Sequence, residues 1–363
     1  MSIIIFIVVL LLLVTVHEFG HFIVAKKFGI RVDEFAFGFP PRLWSIKRGE
    51  TTYALNALPI GGYVKIYGED PKDIQAGVDE GRSFVGQSRI IQGLVVIAGV
   101  FFNFLFAWLL FAGAFMVGVP APLDGGDGYP VRDPRLIVTG VADDSPAFRA
   151  GLLSGDIIKK LNDGADSVEV ANIDQVVAFV SPREGHSVTL TYLRKGETKE
   201  AVMVPITGIV SDVAAVGMYM DTIGTLQLPP HTALWVGLKK TYQFTVMTAV
   251  GIADFLTHIF TGRADFSQVT GPVGIVRVVG DAAGVGFSNV VLFTAVISIN
   301  LAVINLIPFP ALDGGRLLFI IIEGIIRRPI KSKVANALNV AGFAFLMLLM
   351  VVVTYHDVLK LVH

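Results

Sequence analysis

The sequence predicts a polytopic α-helical membrane protein with a small α+β domain inserted between its helices. Hydrophobic residues make up 53% of the 363 positions, the mean hydropathy is +0.67, and the apolar residues form four long runs. Residues 120–224, between the second and third runs, have the composition of a soluble domain. We therefore expect spans in 1–119, an extracytoplasmic domain in 120–224, a connecting segment in 225–287 and two further spans in 288–363.

The first apolar run extends from Ser2 to about Lys26 and contains His17, Glu18 and His21 near its end. On a helix the two histidines share one face because they are four residues apart. Their ring nitrogens can then bind one Zn²⁺, with Glu18 beside them as a general base. A chance match to this short motif is the alternative, but ionisable groups inside a membrane helix are costly and are usually functional.

The charges around this run predict its orientation. No basic residue precedes it and no small-residue cleavage site follows it, which argues against a secretory signal peptide. Ten Lys or Arg residues lie from Lys26 to Arg89, so we expect this loop in the cytoplasm and the N-terminus outside.

Within this loop, residues 51–55 and 62–67 alternate in polarity like short strands, with a Pro-Ile-Gly-Gly turn at 59–62 between them. The pattern predicts a membrane-associated β-hairpin on the cytoplasmic side. An ordinary amphipathic loop is the alternative. The second apolar run, residues 90–119, contains one polar outlier, Asn103, which we interpret as a helix–helix contact.

The soluble segment has β-type runs at residues 136–141 and 188–193. Residues 150–158 resemble the Gly-Leu-x-x-Gly-Asp-x-Ile turn of PDZ domains, which bind peptides by adding a strand to a sheet edge. About ninety residues suit one such module. We therefore expect one PDZ-like domain that binds peptide termini.

Residues 231–260 are apolar but contain Lys239, Lys240, Asp254 and His258. Asp254 and His258 are four residues apart and could form a second metal pair. The polar face of an interfacial amphipathic helix is the better interpretation. A fifth span here would also reverse the direction of the next helix.

The last two apolar runs cover residues 289–307 and 338–353, with five basic residues between them. Those charges place the intervening loop in the cytoplasm, so both termini lie outside. The first and third helices then run in the same direction. Their polar ends reach the same depth, near the cytoplasmic leaflet.

The polar end of the third run carries Pro308, Pro310 and Asp313, followed by two glycines. The prolines end the helix and require extended backbone, and the glycines allow Asp313 to turn back toward the first helix. A catalytic zinc has three protein ligands and a water, so Asp313 would complete the set begun by His17 and His21. We expect one Zn²⁺ per chain, with Glu18 activating the water.

At these residues the sequence resembles the bacterial site-2 proteases of the regulator-of-sigma-E protease type. The resemblance covers nearly the whole chain and is most specific at His17-Glu18-x-x-His21 and at residues 305–315. Further matches lie at residues 61–65, 271–275, 298–301 and 357–359. One departure is Val100, where the family commonly has proline, and this concerns the local shape of the second helix.

The resemblance implies an intramembrane zinc endopeptidase with ligands His17, His21 and Asp313 and with Glu18 as the base. It also implies that Asn305 positions the substrate, in the bacterial inner membrane. Expected substrates are single-span membrane proteins, such as trimmed anti-sigma factors or signal-peptide remnants. Because unwinding a helix in lipid exposes polar groups, we expect Asn305, the backbone around Pro308 and Pro310, and the hairpin edge to form a substrate clamp.

Several other functions are disfavoured. A net charge of −1 implies no nucleic-acid partner, and the absence of cysteine leaves His, Asp and Glu as candidate ligands. A transporter is disfavoured because no inverted repeat of broken helices is visible. The main alternative is a PDZ-bearing membrane scaffold with a vestigial metal site. The presence of all four site residues argues against decay.

Overall fold

The computed structural model describes residues 2–69, 80–123, 128–194, 196–210, 213–262 and 270–362. The chain forms two compact units, one of Met1–Ala114 with Pro230–His363 and one of Phe115–Pro229. The helices are α1 (Ser2–Lys27), α2 (Arg89–Val117), α3 (Pro146–Arg149), α4 (Ile173–Val180), α5 (Pro230–Phe260), α6 (Pro272–Val285), α7 (Phe287–Leu306), α8 (Asp313–Ile326) and α9 (Ser332–Val362). The strands are β1 (Val32–Arg48), β2 (Thr51–Ile66), β3 (Val119–Pro122), β4 (Arg132–Val141), β5 (Ile157–Asn162), β6 (Ser167–Glu169), β7 (Val188–Arg194), β8 (Glu197–Met203), β9 (Ile206–Val210), β10 (Val213–Ala215) and β11 (Met218–Leu226).

Four of the described helices, α1, α2, α7 and α9, are long and apolar enough to cross a membrane. They coincide with the four predicted apolar runs, and the protein is a multi-pass membrane protein. Helix α9 is longer than the predicted run because its polar ends continue the helix. Helix α2 is continuous through Val100, where the family commonly has proline.

Helix α5 is not among the candidate spans of the described chain. It packs against α2, where Trp108 Nε1 donates to the Leu234 carbonyl at 2.8 Å, and against α7, where Thr248 Oγ1 donates to Asn300 Oδ1 at 2.8 Å. Asp254 and His258 are exposed, and within the described residues they belong to no group of three possible metal ligands. The interfacial position of α5 stays a prediction.

The β-structure between α1 and α2 differs from the predicted hairpin. The connection lies between β1 and β2, at residues 49–50, and residues 59–62 lie inside β2. Residues 62–66 and 52–55 do not pair with each other; they pair with opposite edges of residues 32–37. The predicted pairing of residues 51–55 with residues 62–67 was therefore wrong. Residues 32–37 of β1 lie between them, and the sequence there shows no clear alternation of polar and apolar residues.

Two helices without a predicted counterpart, α6 and α8, complete this unit. Two glycines at the start of α6, Gly271 and Gly274, contact the buried carboxylate of Asp357 on α9. The backbone N–H of Gly271 donates to Oδ1 at 3.2 Å, and that of Gly274 donates to Oδ2 at 2.8 Å. Farther along α6, a Cβ on Gly280 would lie 2.4 Å from Ser2 Oγ of α1. Helix α6 therefore contacts both the first and the last helix.

The second unit is a small α+β domain. Its main sheet has the order β3-β11-β4-β5-β7-β8, with β6 paired to β5. Its core includes Val138, Leu161 and Leu190, each with 0% exposure. In the PDZ-like turn, Asp156 is buried and accepts hydrogen bonds from the Leu153 backbone N–H at 2.9 Å and from Arg194. The turn predicted from residues 150–158 therefore lies between α3 and β5, at the edge of this core.

Candidate metal centre

Three possible metal ligands meet where α1 approaches the start of α8. His17 Nε2 lies 2.9 Å from Asp313 Oδ2, His21 Nε2 lies 3.3 Å from the same oxygen, and the two Nε2 atoms are 3.2 Å apart. His17 and His21 are 6% and 8% exposed. This group is the only one of three possible ligands within the described parts of the chain.

The hydrogen-bond arrangement of a neutral His21 ring suits a cation at this cluster. Its Nδ1 lies 2.8 Å from the Val95 carbonyl oxygen, which only accepts, so Nδ1 carries the hydrogen and Nε2 of the neutral ring carries a lone pair. That lone pair faces the Asp313 carboxylate at 3.3 Å. Two acceptors at this distance repel each other unless a cation lies between them.

The spacing and chemical type of the three atoms suit zinc. Zn–N and Zn–O bonds of about 2.0–2.2 Å with tetrahedral angles require ligand atoms about 3.3–3.5 Å apart. Two of the distances found here, 3.2 and 3.3 Å, are close to this range, and the third, 2.9 Å, is shorter. The two ring nitrogens and one carboxylate oxygen are atoms of the kinds that bind zinc in proteins. The residues present fit a zinc ion with three protein ligands.

Helix α2 forms the wall behind the two imidazole rings. Val95, Gly99 and Asn103 are spaced by four residues and so lie on one helical face. The Val95 carbonyl contacts His21, and the Asn103 side chain lies 3.1 Å from His17 Nδ1. A Cβ on Gly99 would lie 2.3 Å from His21 Nε2, so only glycine leaves room for the rings at this position.

Glu18 lies beside the cluster and is held by the β-structure. The backbone N–H of Val64 in β2 donates to Glu18 Oε2 at 3.0 Å. Because residues 62–66 pair with β1 along their other edge, this N–H belongs to the outer edge of the sheet. One carboxylate oxygen of Glu18 is thus fixed by backbone, and Oε1 is left to exchange a proton.

Asp313 reaches the histidines through the loop after α7. The helix ends at Leu306 before the two prolines, as predicted, and Ile307 is extended with φ −61° and ψ 133°. The left-handed residue is Ala311, with φ 75°, and not either glycine. The glycines instead allow close packing: a Cβ on Gly314 would lie 2.2 Å from the Ile307 carbonyl oxygen. The expected reason for the turn at Asp313 was therefore wrong.

The predicted substrate-positioning residues lie in the segment just before Asp313. Asn305 is half-buried in the last turn of α7, and within the described chain its amide makes no hydrogen bond. Pro308 is exposed. The carbonyl of Pro310 packs against Gly342 of α9, where a Cβ would lie 2.5 Å from that oxygen. No hydrogen bond in the described part of the chain joins these three residues to the metal ligands.

Sequence reasoning missed the role of α2 in this site. It interpreted Asn103 as a helix contact and gave Val95 and Gly99 no function. The four-residue spacing of Gly99 and Asn103 is a signal that could have placed them on one face. The Val95 contact uses only a backbone carbonyl, for which the residue type gives no signal.

Comparisons with known proteins agree with this geometry. The model described as Peptidase family M50 matches residues 5–349. A protein of Clostridium perfringens (strain 13) that is provisionally named a zinc metalloprotease is 36% identical, over 96% of this chain and 95% of that protein. Zinc metalloprotease RasP of Oceanobacillus iheyensis is 29% identical over 99% of each chain, and RasP of Shouchella clausii is 29% identical over 98% of each.

Among solved structures, the PDZ domain of an SdrC-like protein from Listeria monocytogenes is 20% identical. The match covers 25% of this chain and 90% of that domain, with a TM-score of 0.22. The family match over most of the chain and the full-length relatives lead to one assignment. This chain belongs to peptidase family M50 and is a zinc metalloendopeptidase of the site-2 protease type.

Proposed function

We propose that this protein is an intramembrane endopeptidase that cleaves the membrane-spanning segments of other membrane proteins. His17, His21 and Asp313 hold the zinc, and Glu18 is the general base. The observation that carries the proposal is the triangle of ligand atoms, with edges of 2.9, 3.2 and 3.3 Å, two of whose corners lie on α1. Since α1 is apolar enough to cross a membrane, the peptide bond to be cut must enter the membrane.

The zinc ion, when bound, supplies a Lewis acid that polarises a carbonyl and lowers the pKa of water to about 7. Glu18 accepts the proton of the attacking water and then gives it to the leaving amine. The hydrogen bond from the Val64 backbone N–H keeps the Glu18 carboxylate from rotating away from the ligands. Both the ligands and the base therefore act from fixed positions, which keeps the cost of orienting them low.

The groups around the site are suited to an extended substrate. A helix must unwind before its peptide bond can be attacked, and in lipid each backbone group that loses its partner costs several kcal/mol. The outer edge of residues 62–66 presents backbone N–H and C=O groups next to Glu18. The Asn305 amide adds a side-chain donor and acceptor, and Pro308 and Pro310 keep the adjacent backbone extended. Together these groups act as a substrate clamp.

The charge pattern supports an orientation with both termini outside the bacterial inner membrane and the metal centre near the cytoplasmic leaflet. Lys26 and Lys27 follow the histidine motif, and Arg316 follows Asp313. The PDZ-like unit then lies outside and binds or excludes peptide termini. The substrates are single-span proteins that a first cut has shortened, such as trimmed anti-sigma factors, or signal-peptide remnants.

The roles of the four site residues are tested by measuring zinc and cleavage separately. His17→Ala, His21→Ala and Asp313→Ala should each lose bound zinc, because each removes one of three ligands. Glu18→Gln should retain zinc and lose at least a hundredfold in cleavage rate, because it removes the proton acceptor alone. The measurements are zinc content of the purified protein and cleavage of a membrane-embedded reporter in the same bilayer.

Cleavage by Glu18→Gln at the normal rate would contradict the mechanism. Wild-type protein that binds zinc stoichiometrically but cuts no membrane-embedded reporter would favour the scaffold alternative. Zinc loss in Glu18→Gln would instead make that residue a ligand.

The clamp is tested with substrates of different helix stability. A reporter span with Gly or Pro near the scissile bond should be cut faster than a Leu-rich span, because less helix must be unwound. Asn305→Ala should slow both, and the Leu-rich span by the larger factor, with zinc content unchanged. Equal rates for the two spans would show that substrate unwinding does not limit the reaction.

A further inference from the structure

We propose that Asn103 is a positioning residue for the metal centre: its side-chain oxygen accepts a hydrogen bond from His17 Nδ1–H and holds His17 in the tautomer that presents Nε2 to zinc. The inference rests on the proposed role of His17 as a ligand. It gives α2 a part in metal binding through a residue that touches neither zinc nor substrate.

Asn103 is placed for this purpose by packing on both sides. It is 0% exposed on α2, and its amide lies 3.1 Å from His17 Nδ1. Its backbone carbonyl accepts a hydrogen bond from Ser298 Oγ of α7 at 2.8 Å. The asparagine is thus held between α1 and α7, away from water.

The tautomer follows from the chemistry of a neutral imidazole, which has one N–H and one lone pair. His17 Nε2 faces Asp313 Oδ2 and His21 Nε2, so its lone pair must point toward the metal. The hydrogen is then on Nδ1, and it needs an acceptor. Within the described residues, the group at that distance is the Asn103 amide.

The orientation of the amide decides which atom meets the ring. The structure places Nδ2 against His17 Nδ1, and Oδ1 is then a buried side-chain oxygen without a hydrogen-bond partner among the described residues. Turning the amide by half a rotation exchanges the two atoms, which have nearly the same size. Either orientation leaves one amide group unpaired, so the bond to His17 decides: only Oδ1 can accept from Nδ1–H.

The two histidines then have matching arrangements. His21 donates its Nδ1–H to the Val95 carbonyl at 2.8 Å, and His17 donates its Nδ1–H to Asn103 Oδ1. Both acceptors lie on the α2 face that includes Gly99. Outer partners of this kind fix ring orientation and raise ligand basicity, and their loss typically weakens metal binding by about 10–100-fold.

The test compares two substitutions of similar size in the full-length protein. Asn103→Leu removes the acceptor and should weaken zinc binding by about 10–100-fold, measured by competition with a chelator. Asn103→Asp keeps an acceptor oxygen and should bind zinc at least as tightly as the wild type. Ser298→Ala removes the bond to the Asn103 backbone and controls for general loosening of the helices; its effect should be under threefold. The absorption spectrum of Co²⁺-loaded protein should shift for Asn103→Leu and stay close to wild type for Asn103→Asp.

The outcomes separate this inference from the proposed function. If Asn103→Asp loses zinc as strongly as Asn103→Leu, the amide N–H is the important group and the inference is wrong. Unchanged zinc affinity in Asn103→Leu would also overturn it. Should Asn103→Leu fail to fold in a thermal melt, Asn103→Ala takes its place with the same expectations. If His17→Ala keeps its zinc, the ligand assignment itself fails.

Discussion

Two carboxylates, one in each unit, have opposite surroundings: Asp156 is buried and Asp313 is partly buried. Asp156 in the PDZ-like unit accepts two hydrogen bonds from Arg194, each of 2.6 Å, so a permanent cation neutralises its charge. Asp313 meets two imidazoles at the same oxygen, at 2.9 and 3.3 Å. A carboxylate that an arginine of the same chain neutralises stabilises the fold, whereas we propose that a metal ion neutralises the one that faces two ring nitrogens. The same residue type is structural in one unit and a proposed zinc ligand in the other.

The largest expected effect comes from removing each carboxylate in turn. Asp156→Ala leaves Arg194 without its carboxylate partner and should lower the free energy of unfolding of the PDZ-like unit by about 3 kcal/mol, with zinc content unchanged. Asp313→Ala should abolish stoichiometric zinc binding and leave the melt of that unit unchanged. Thermal melts and zinc analysis of both variants measure the two effects. Zinc loss in Asp156→Ala, or destabilisation of the PDZ-like unit in Asp313→Ala, would show that the two sites are not independent.

A smaller effect should distinguish two glycines of α2. A Cβ on Gly99 would lie 2.3 Å from His21 Nε2, so Gly99→Ala should displace the ring and weaken zinc binding by at least tenfold. Gly113 has no neighbouring atom within 4 Å of that position, so Gly113→Ala is the matched control and should leave zinc affinity unchanged. Chelator competition measures both affinities. Equal affinities would mean that the rings can move without cost.

The parts that could be predicted from the sequence are those with a strong local signal. Long apolar runs indicate membrane-spanning helices because a chain in lipid has few alternatives to a helix. Two histidines four residues apart share one face of a helix at any position in the fold. Asp313 could be added because the helix before it ends at a pair of prolines. The four spans and the cluster of three possible ligands therefore required no knowledge of long-range contacts.

The parts that could not be predicted depend on contacts without a side-chain signal. The pairing of residues 52–55 and 62–66 with both edges of residues 32–37 is decided by backbone hydrogen bonds. The wall behind the ligands consists of one carbonyl, one missing side chain and one amide, at Val95, Gly99 and Asn103. Val64 orients Glu18 through its backbone N–H, which every residue except proline possesses. Residue type alone therefore does not identify these roles.

The carboxylate of Asp357 joins parts of the membrane unit that are far apart in the sequence. The N–H groups of Gly271 and Gly274 at the start of α6 are satisfied by a residue more than eighty positions later in the sequence. Without α9 those amides lack this acceptor, and a buried donor without an acceptor is unfavourable. Because Gly280 of α6 also packs against Ser2, α6 is in contact with both α1 and α9. The Asp357 carboxylate therefore joins two segments that lie far apart in the sequence within one membrane unit.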